Sequence, residues 1–225
     1  MSRLARLGSF AIAASVAIGL STGSAMAQTS GGILKYVIPS NPPSADGHRE
    51  TTFGTIHPFA QFYSVLIRIN PDNPSSTTDF KCDLCVGDVP KATNGGKKFT
   101  FKIRDDVKFH DGSDLTAEGV VTSLERILDV NQGPASFMTN IASITADGSD
   151  KVAITLENVD YTFLGKLPKL PIVSAAAIEQ NKTTADPLAS EWFAINAAGT
   201  GPYKLDNWQR NQAINLVAFE DYWHE

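Results

Sequence analysis

The stretch FTFKIRDDVKFHDGSDLTAEGV, Phe99 to Val120, decides how this chain folds. Phe99, Phe101 and Ile103 alternate with Thr100, Lys102 and Arg104, the two-residue period of a strand with one buried face. Asp105-Asp106 reads as a turn. Val107 and Phe109 then alternate with Lys108 and His110, which predicts a hairpin over 99–110 with His110 on its polar face. Asp111-Gly112 is a second turn, where glycine tolerates positive φ. Thr116 has a hydroxyl able to accept from an exposed amide of a first helical turn, and Glu118 suits that positive end of the helix dipole. Val120, Val121, Leu124, Ile127 and Leu128 follow as an apolar stripe at helical spacing. His110 and Asp111 therefore stand at a corner between a hairpin and a helix, and a catalytic His-Asp pair is the minor reading.

Working outward, ILKYVI at 33–38 reads as a buried strand ending in the proline-rich loop PSNPP, 39–43. Residues 59–69 place Phe59, Phe62, Tyr63, Leu66 and Ile67 at helical spacing, with a tail that suits a strand. KVAITL at 151–156 alternates as a strand. Residues 175–180 suit a short helix. Gly199 to Tyr203 forms a tight turn into strands over 203–208 and 212–219. No phosphate loop, dinucleotide fingerprint or HExxH zinc motif is present in the chain.

The 225 residues are 42% hydrophobic and 19% charged, an ordinary globular balance. The first 27 differ: Arg3 and Arg6, an apolar run at 10–20, then Ala25-Met26-Ala27, the layout of a secretory signal cleaved before Gln28. The apolar run falls short of the roughly 20 residues that span a bilayer. With Gln28 rather than a cysteine directly after the cleavage site, no lipid anchor is expected. The mature chain is expected outside the cytoplasm, in the periplasm. Without Arg3 and Arg6, 17 basic residues face 24 acidic ones, a net charge of −7, which disfavours nucleic acid. Cys82 and Cys85 form a C-x-x-C. A second metal pair is missing and His48, His57, His110 and His224 are scattered singly, so no metal site is expected. Gly87 and Pro90 argue against the helix that redox-active pairs use to lower a thiol pKa. A local disulfide is the favoured reading, with a thiol-disulfide oxidoreductase as the enzymatic alternative.

Four segments, VIPSNPPSAD leading into 59–69, FTFKIRDDVKFHDGSDLTAEGVVTSLERI, GTGPYKLDNW and FEDYWHE, resemble the periplasmic solute-binding proteins of ABC importers, peptide/nickel class (extracellular solute-binding family 5). The second and third are the specific ones. Gly119 departs from the family's usual Asp, Glu220 stands near its usual Asn, and the cysteine pair is not a general family feature.

The resemblance implies an α/β fold, the first lobe of a two-lobe flytrap, with an inserted α+β subdomain and the second lobe absent, as in an N-terminal fragment. The expected divisions are a signal at 1–27, lobe core at 28–65 and 168–225, and the insertion at 66–167. A central sheet would unite 33–38 with the strands near 203–208 and 212–219. The resemblance further implies a binding protein rather than an enzyme, with no cofactor. Its ligand would be a peptide or similar small solute, and its partners an ABC permease and ATPase at the inner membrane. Candidate ligand contacts are Ser40, Asn41, Pro42, Tyr63 and Thr200. A stand-alone lobe acting as an interaction module is a further alternative.

Overall fold

The computed structural model describes residues 31–224. The expected signal segment and its cleavage site lie outside the described residues. The first compact unit ends at Tyr36, and its described part, 31–36, has no regular secondary structure, with Ile33 and Leu34 over four-fifths exposed. From Val37 onward the elements run as α1 (Phe53–Phe59), β1 (Ile67–Ile69), β2 (Phe80–Cys82), β3 (Lys98–Lys102), α2 (Ala117–Val130), β4 (Ile141–Ala146), β5 (Lys151–Leu156), α3 (Ala175–Asn181), α4 (Ser190–Phe193), β6 (Tyr203–Gln209) and β7 (Ala213–Ala218). None of the described helices is long and apolar enough to cross a membrane.

Three antiparallel sheets carry the strands: β1–β2, β3–β5–β4 and β6–β7. In the second, Phe99 lies opposite Ile154 and Phe101 opposite Val152, so the apolar face read from the sequence is the buried one. Helix α2 covers that face with Val120, Leu124 and Ile127, all fully buried. Its start follows the capping argument: Thr116 is extended and its hydroxyl accepts from the Gly119 amide at 3.0 Å. Thr116→Ala is expected to cost about 1 kcal/mol, read as a lower urea midpoint with unchanged m-value.

Four expectations are corrected. Residues 33–38 form no strand: none of the sheets among the described residues includes them, and Ile33, Leu34 and Val37 are exposed. The expected central sheet is accordingly replaced by the separate β6–β7 ribbon, which packs Leu205, Trp208, Ile214 and Leu216 on Phe59 and Phe62.

The helix expected over 59–69 ends at Phe59. Beyond it the backbone is claimed by other segments: the Gln61 and Phe62 carbonyls accept from Tyr203 and Gly201, the Ser64 carbonyl accepts from Ile172, and the Val65 amide donates to Asp83. These tertiary bonds outcompete the i→i−4 ladder, and only the strand-like tail, β1, keeps its expected form.

The hairpin expected over 99–110 is also not formed. β3 pairs with β5, while 107–115 closes its own small loop through Leu115 N to Val107 O and Phe109 N to Ser113 O. Finally, the α2 stripe is narrower than expected. Leu128 is 38% exposed and Val121 half-buried, because both sit on the flank of the 120–124–127 row.

Candidate functional site

The candidate residues fall into two places. Ser40 and Asn41 are exposed at the proline-rich loop, and Pro42 is buried beneath them. Asn41 Oδ1 accepts from the Asn211 amide at 3.0 Å. Arg210 donates to the carbonyls of Pro42 and Pro43 while stacking over Trp208. The loop is thus fastened to the tip of the β6–β7 ribbon. Ser40 Oγ leans on Gly54 at the start of α1.

Tyr63 and Thr200 meet through a strap, Gly199-Thr200-Gly201. Its glycines lie directly on the backbone of 61–63, and Gly201 N donates to Phe62 O at 2.9 Å. The Tyr63 hydroxyl donates to Ala45 O at 3.0 Å, and burial raises its pKa far above the ordinary phenol value. Thr200 is completely buried, with its hydroxyl unpartnered by protein. Tyr63 and Thr200 therefore shape the wall behind the strap. Ser40 and Asn41 are the polar groups that face solvent.

The opening His-Asp corner belongs to this strap. His110 does not stay on a polar strand face: its amide donates to Gly199 O at 2.8 Å, its Nε2 bonds Gly201 O at 2.9 Å, and its ring meets the Phe219 edge. With Nε2 donating to a carbonyl, the proton sits on Nε2, and burial lowers the His110 pKa. Asp111 accepts from the hydroxyls of Ser113 and Ser174, and the Ser174 amide donates to Ala198 O. Trp223 Nε1 reaches Thr200 O at 3.3 Å. The corner is a clasp on both sides of Thr200 rather than a nucleophile-base pair.

A buried, many-bonded group around Arg126 escaped the sequence reading. Arg126 of α2 forks onto Asp46 through Nη1 and Nη2 at 3.0 and 2.8 Å, with both side chains essentially sealed from solvent. Arg126 Nε donates to Leu188 O at 2.8 Å, and its guanidinium lies 4.4 Å over the Phe193 ring. His48 completes the group: Nδ1 lies 3.0 Å from Arg126 Nη1 and Nε2 lies 2.9 Å from Pro171 O. Since Arg126 only donates and the carbonyl only accepts, His48 is the neutral tautomer protonated on Nε2. Burial alone would raise the Asp46 carboxyl, but the Arg126 hydrogen bond and the charges around it hold it below its ordinary value. Burial, aided by Arg126, pushes His48 down to about 4. The group ties the 44–48 segment, continuous with the Ser40–Asn41 loop, to α2 and α4.

This gives a pH prediction. Between pH 6.5 and 4 the unfolded chain protonates its histidine and the folded chain does not, so stability falls as pH falls through that window, by about 3 kcal/mol from His48 alone. Asp46, lowered in the fold, adds stability above its ordinary carboxylate value that is lost in more acid solution. Urea midpoints from pH 7 to 4.5 should drop steadily, with a flatter slope in His48→Gln.

Cys82 and Cys85 are joined as a disulfide. Cys82 ends β2, and Cys85 is buried beside Ile103; the chain then turns at Gly87 with φ +79° instead of opening a helix. Among the described residues, no helix opens directly after Cys85, the arrangement that Gly87 and Pro90 predict. No group of three or more His, Cys, Asp or Glu able to hold a metal occurs among the described residues.

Comparison with known proteins places this geometry. Residues 87–225 match the family described as bacterial extracellular solute-binding proteins, family 5 Middle. The probable D,D-dipeptide-binding periplasmic protein of Escherichia coli K12 is 34% identical over 162 residues, 71% of this chain and 30% of the relative. A dipeptide binding protein from Pseudoalteromonas sp. SM9913, solved with Met-Leu, superposes with a TM-score of 0.72 at 25% identity over 83% of this chain and 39% of its own. The oligopeptide-binding protein of Bacillus subtilis, solved with a nonapeptide, gives 0.70 at 27% identity over 80% and 35%. The α/β fold is thus that of a portion of a periplasmic binding protein, and the chain spans about a third of the length of these relatives. They are transport-associated binding proteins, and the chain belongs with them to the bacterial extracellular solute-binding proteins of family 5.

Proposed function

We infer that this chain is part of the extracytoplasmic substrate-binding component of an ABC importer, capturing peptides or similar small solutes and presenting them to a membrane permease and its ATPase. Family membership across residues 87–225 carries the reading, and the dipeptide and nonapeptide ligands of its relatives support the ligand class. Ser40 and Asn41 are the proposed polar contacts, beside Pro42, and Tyr63 and Thr200 are proposed as a second, buried part of the site at the strap. The insertion is proposed at 66–167, between lobe segments 28–65 and 168–225; it holds most of one apolar core that begins at Leu66 and runs past the proposed boundary to Leu170 and Ile172. Secretion to the periplasm is proposed with cleavage after Ala27, so mass spectrometry of the exported protein should find Gln28 as its first residue.

The deciding experiment is calorimetric titration of the gene product carrying this chain with D-Ala-D-Ala, Met-Leu and a nonapeptide. Saturable binding of at least one is expected. Ser40→Ala should weaken it by up to about tenfold, the worth of one hydrogen bond, without lowering stability. A folded protein that binds none of the three overturns the peptide reading.

A further inference from the structure

The disulfide occupies a setting that a purely structural bond does not require. Cys82 is the last residue of β2, on a sheet that among the described residues has only β1 and β2, and it is half-buried. Cys85 is 2% exposed, packed in the main core. Both line a surface cavity of about 420 Å³ whose rim carries Lys81, Asp88 and Arg104. Lys81 is paired with Asp72 and Arg104 with Asp106, so the rim is polar and close to charge-balanced. Of the two residues, Cys82 is thus the more open to solvent and the side from which a thiolate would come.

The turn does not depend on the S–S bond for its position. The amides of Asp83 and Cys85 donate to Leu66 O, that of Leu84 to Val65 O and that of Val86 to Lys102 O. Asp83 also accepts from the Val65 amide at 3.0 Å. These bonds hold Cys82 and Cys85 at adjacent places whether or not their sulfurs are joined.

From these two observations we propose that Cys82 is a reversible thiol-exchange site, with small thiols as its co-reactants. A thiolate attacks Cys82 Sγ, a new S–S bond joins it to Cys82, the Cys82–Cys85 bond breaks, and the electron pair leaves on Cys85 Sγ, which takes a proton from water. Return of the Cys85 thiolate onto Cys82 expels the small thiol and restores the original bond. The protein is the substrate of this exchange and not its catalyst, so the proposal stands apart from the import reading and from the oxidoreductase alternative.

The test is to incubate the oxidised, folded gene product with glutathione, quench with acid, label free thiols with N-ethylmaleimide and map both cysteines by peptide mass spectrometry. The expected result is glutathione on Cys82 and maleimide on Cys85, with the reverse pattern at least tenfold rarer. Dilution of the thiol should regenerate the Cys82–Cys85 bond. An adduct on Cys85, an even split, or reaction only after unfolding in urea overturns the proposal. The single variants give an independent reading. With oxidised glutathione, Cys85→Ser, which leaves Cys82, should react at least tenfold faster than Cys82→Ser; equal rates overturn it.

Discussion

Arg126→Ala is expected to lower stability by about 3–5 kcal/mol, the cost of stranding one member of a buried ion pair. The loss has three parts. Asp46, sealed from solvent, keeps a carboxylate whose two guanidinium bonds are gone. Leu188 O loses its Nε donor, and His48 Nδ1 loses its Arg126 donor. The cavity left against Phe193 adds to these. Domains of this kind hold about 5–15 kcal/mol in all, so the variant should be largely unfolded at modest urea. Arg126→Lys recovers little, because an ammonium cannot fork onto Asp46 and also reach Leu188. Asp46→Asn should restore part of the loss when combined with Arg126→Met, since the stranded charge is then removed from both sides. A urea series on the four proteins measures this. A loss below about 1 kcal/mol for Arg126→Ala would mean that water reaches the pair, as it does for surface ion pairs.

That network shows where sequence reading stops. The alternation of Phe99, Phe101 and Ile103, the Thr116 cap and the 151–156 strand are local, and each was legible because neighbouring residues alone decide it. Arg126 and Asp46 stand 80 positions apart, and nothing local ties them. One signal was available: Gly119, Ser123 and Arg126 form a second row on α2 beside the apolar 120–124–127 row, and all three are buried. A row of glycine, serine and arginine beside a core stripe marks a flank that meets polar backbone. Ser123 there accepts from the Val173 amide at 2.9 Å. The missed elements share a cause as well. The helix expected over 59–69 and the sheet expected around 33–38 both depend on which distant edge claims the backbone, and hydrophobic spacing carries no record of that edge. For the candidate site, the sequence supplied the loop and the strap, but not that His110 and Asp111 clasp the strap from the other side.

Gly201→Ala and Gly199→Ala should each destabilise the protein by about 1–3 kcal/mol or more, and for a reason of space alone. A methyl on Gly201 would overlap Gln61 O and lie 2.7 Å from the Phe62 carbonyl carbon; one on Gly199 would overlap Phe62 O and lie 2.6 Å from Tyr63 Cδ1. Most of these neighbours are backbone atoms, so no side-chain rotation relieves them. The strap must lift, breaking Gly201 N to Phe62 O and weakening the His110 bonds to Gly199 and Gly201. Two glycines calibrate the effect. At Gly165 an added methyl meets only the Phe80 ring edge at 3.8 Å, and Gly165→Ala should stay within about 0.5 kcal/mol of the parent, as ordinary surface changes do. At Gly54 the methyl would displace the Ser40 hydroxyl, a side chain free to rotate. Gly54→Ala should therefore keep its urea midpoint yet weaken peptide binding, because it moves a proposed contact without disturbing the frame. Amide hydrogen exchange locates the damage: loss of protection at Gly201 and Tyr203 in the strap variants, and none there in Gly54→Ala. If Gly201→Ala keeps both its midpoint and those protected amides, the strap is not pressed onto 61–63 and the buried part of the proposed site is softer than this packing requires.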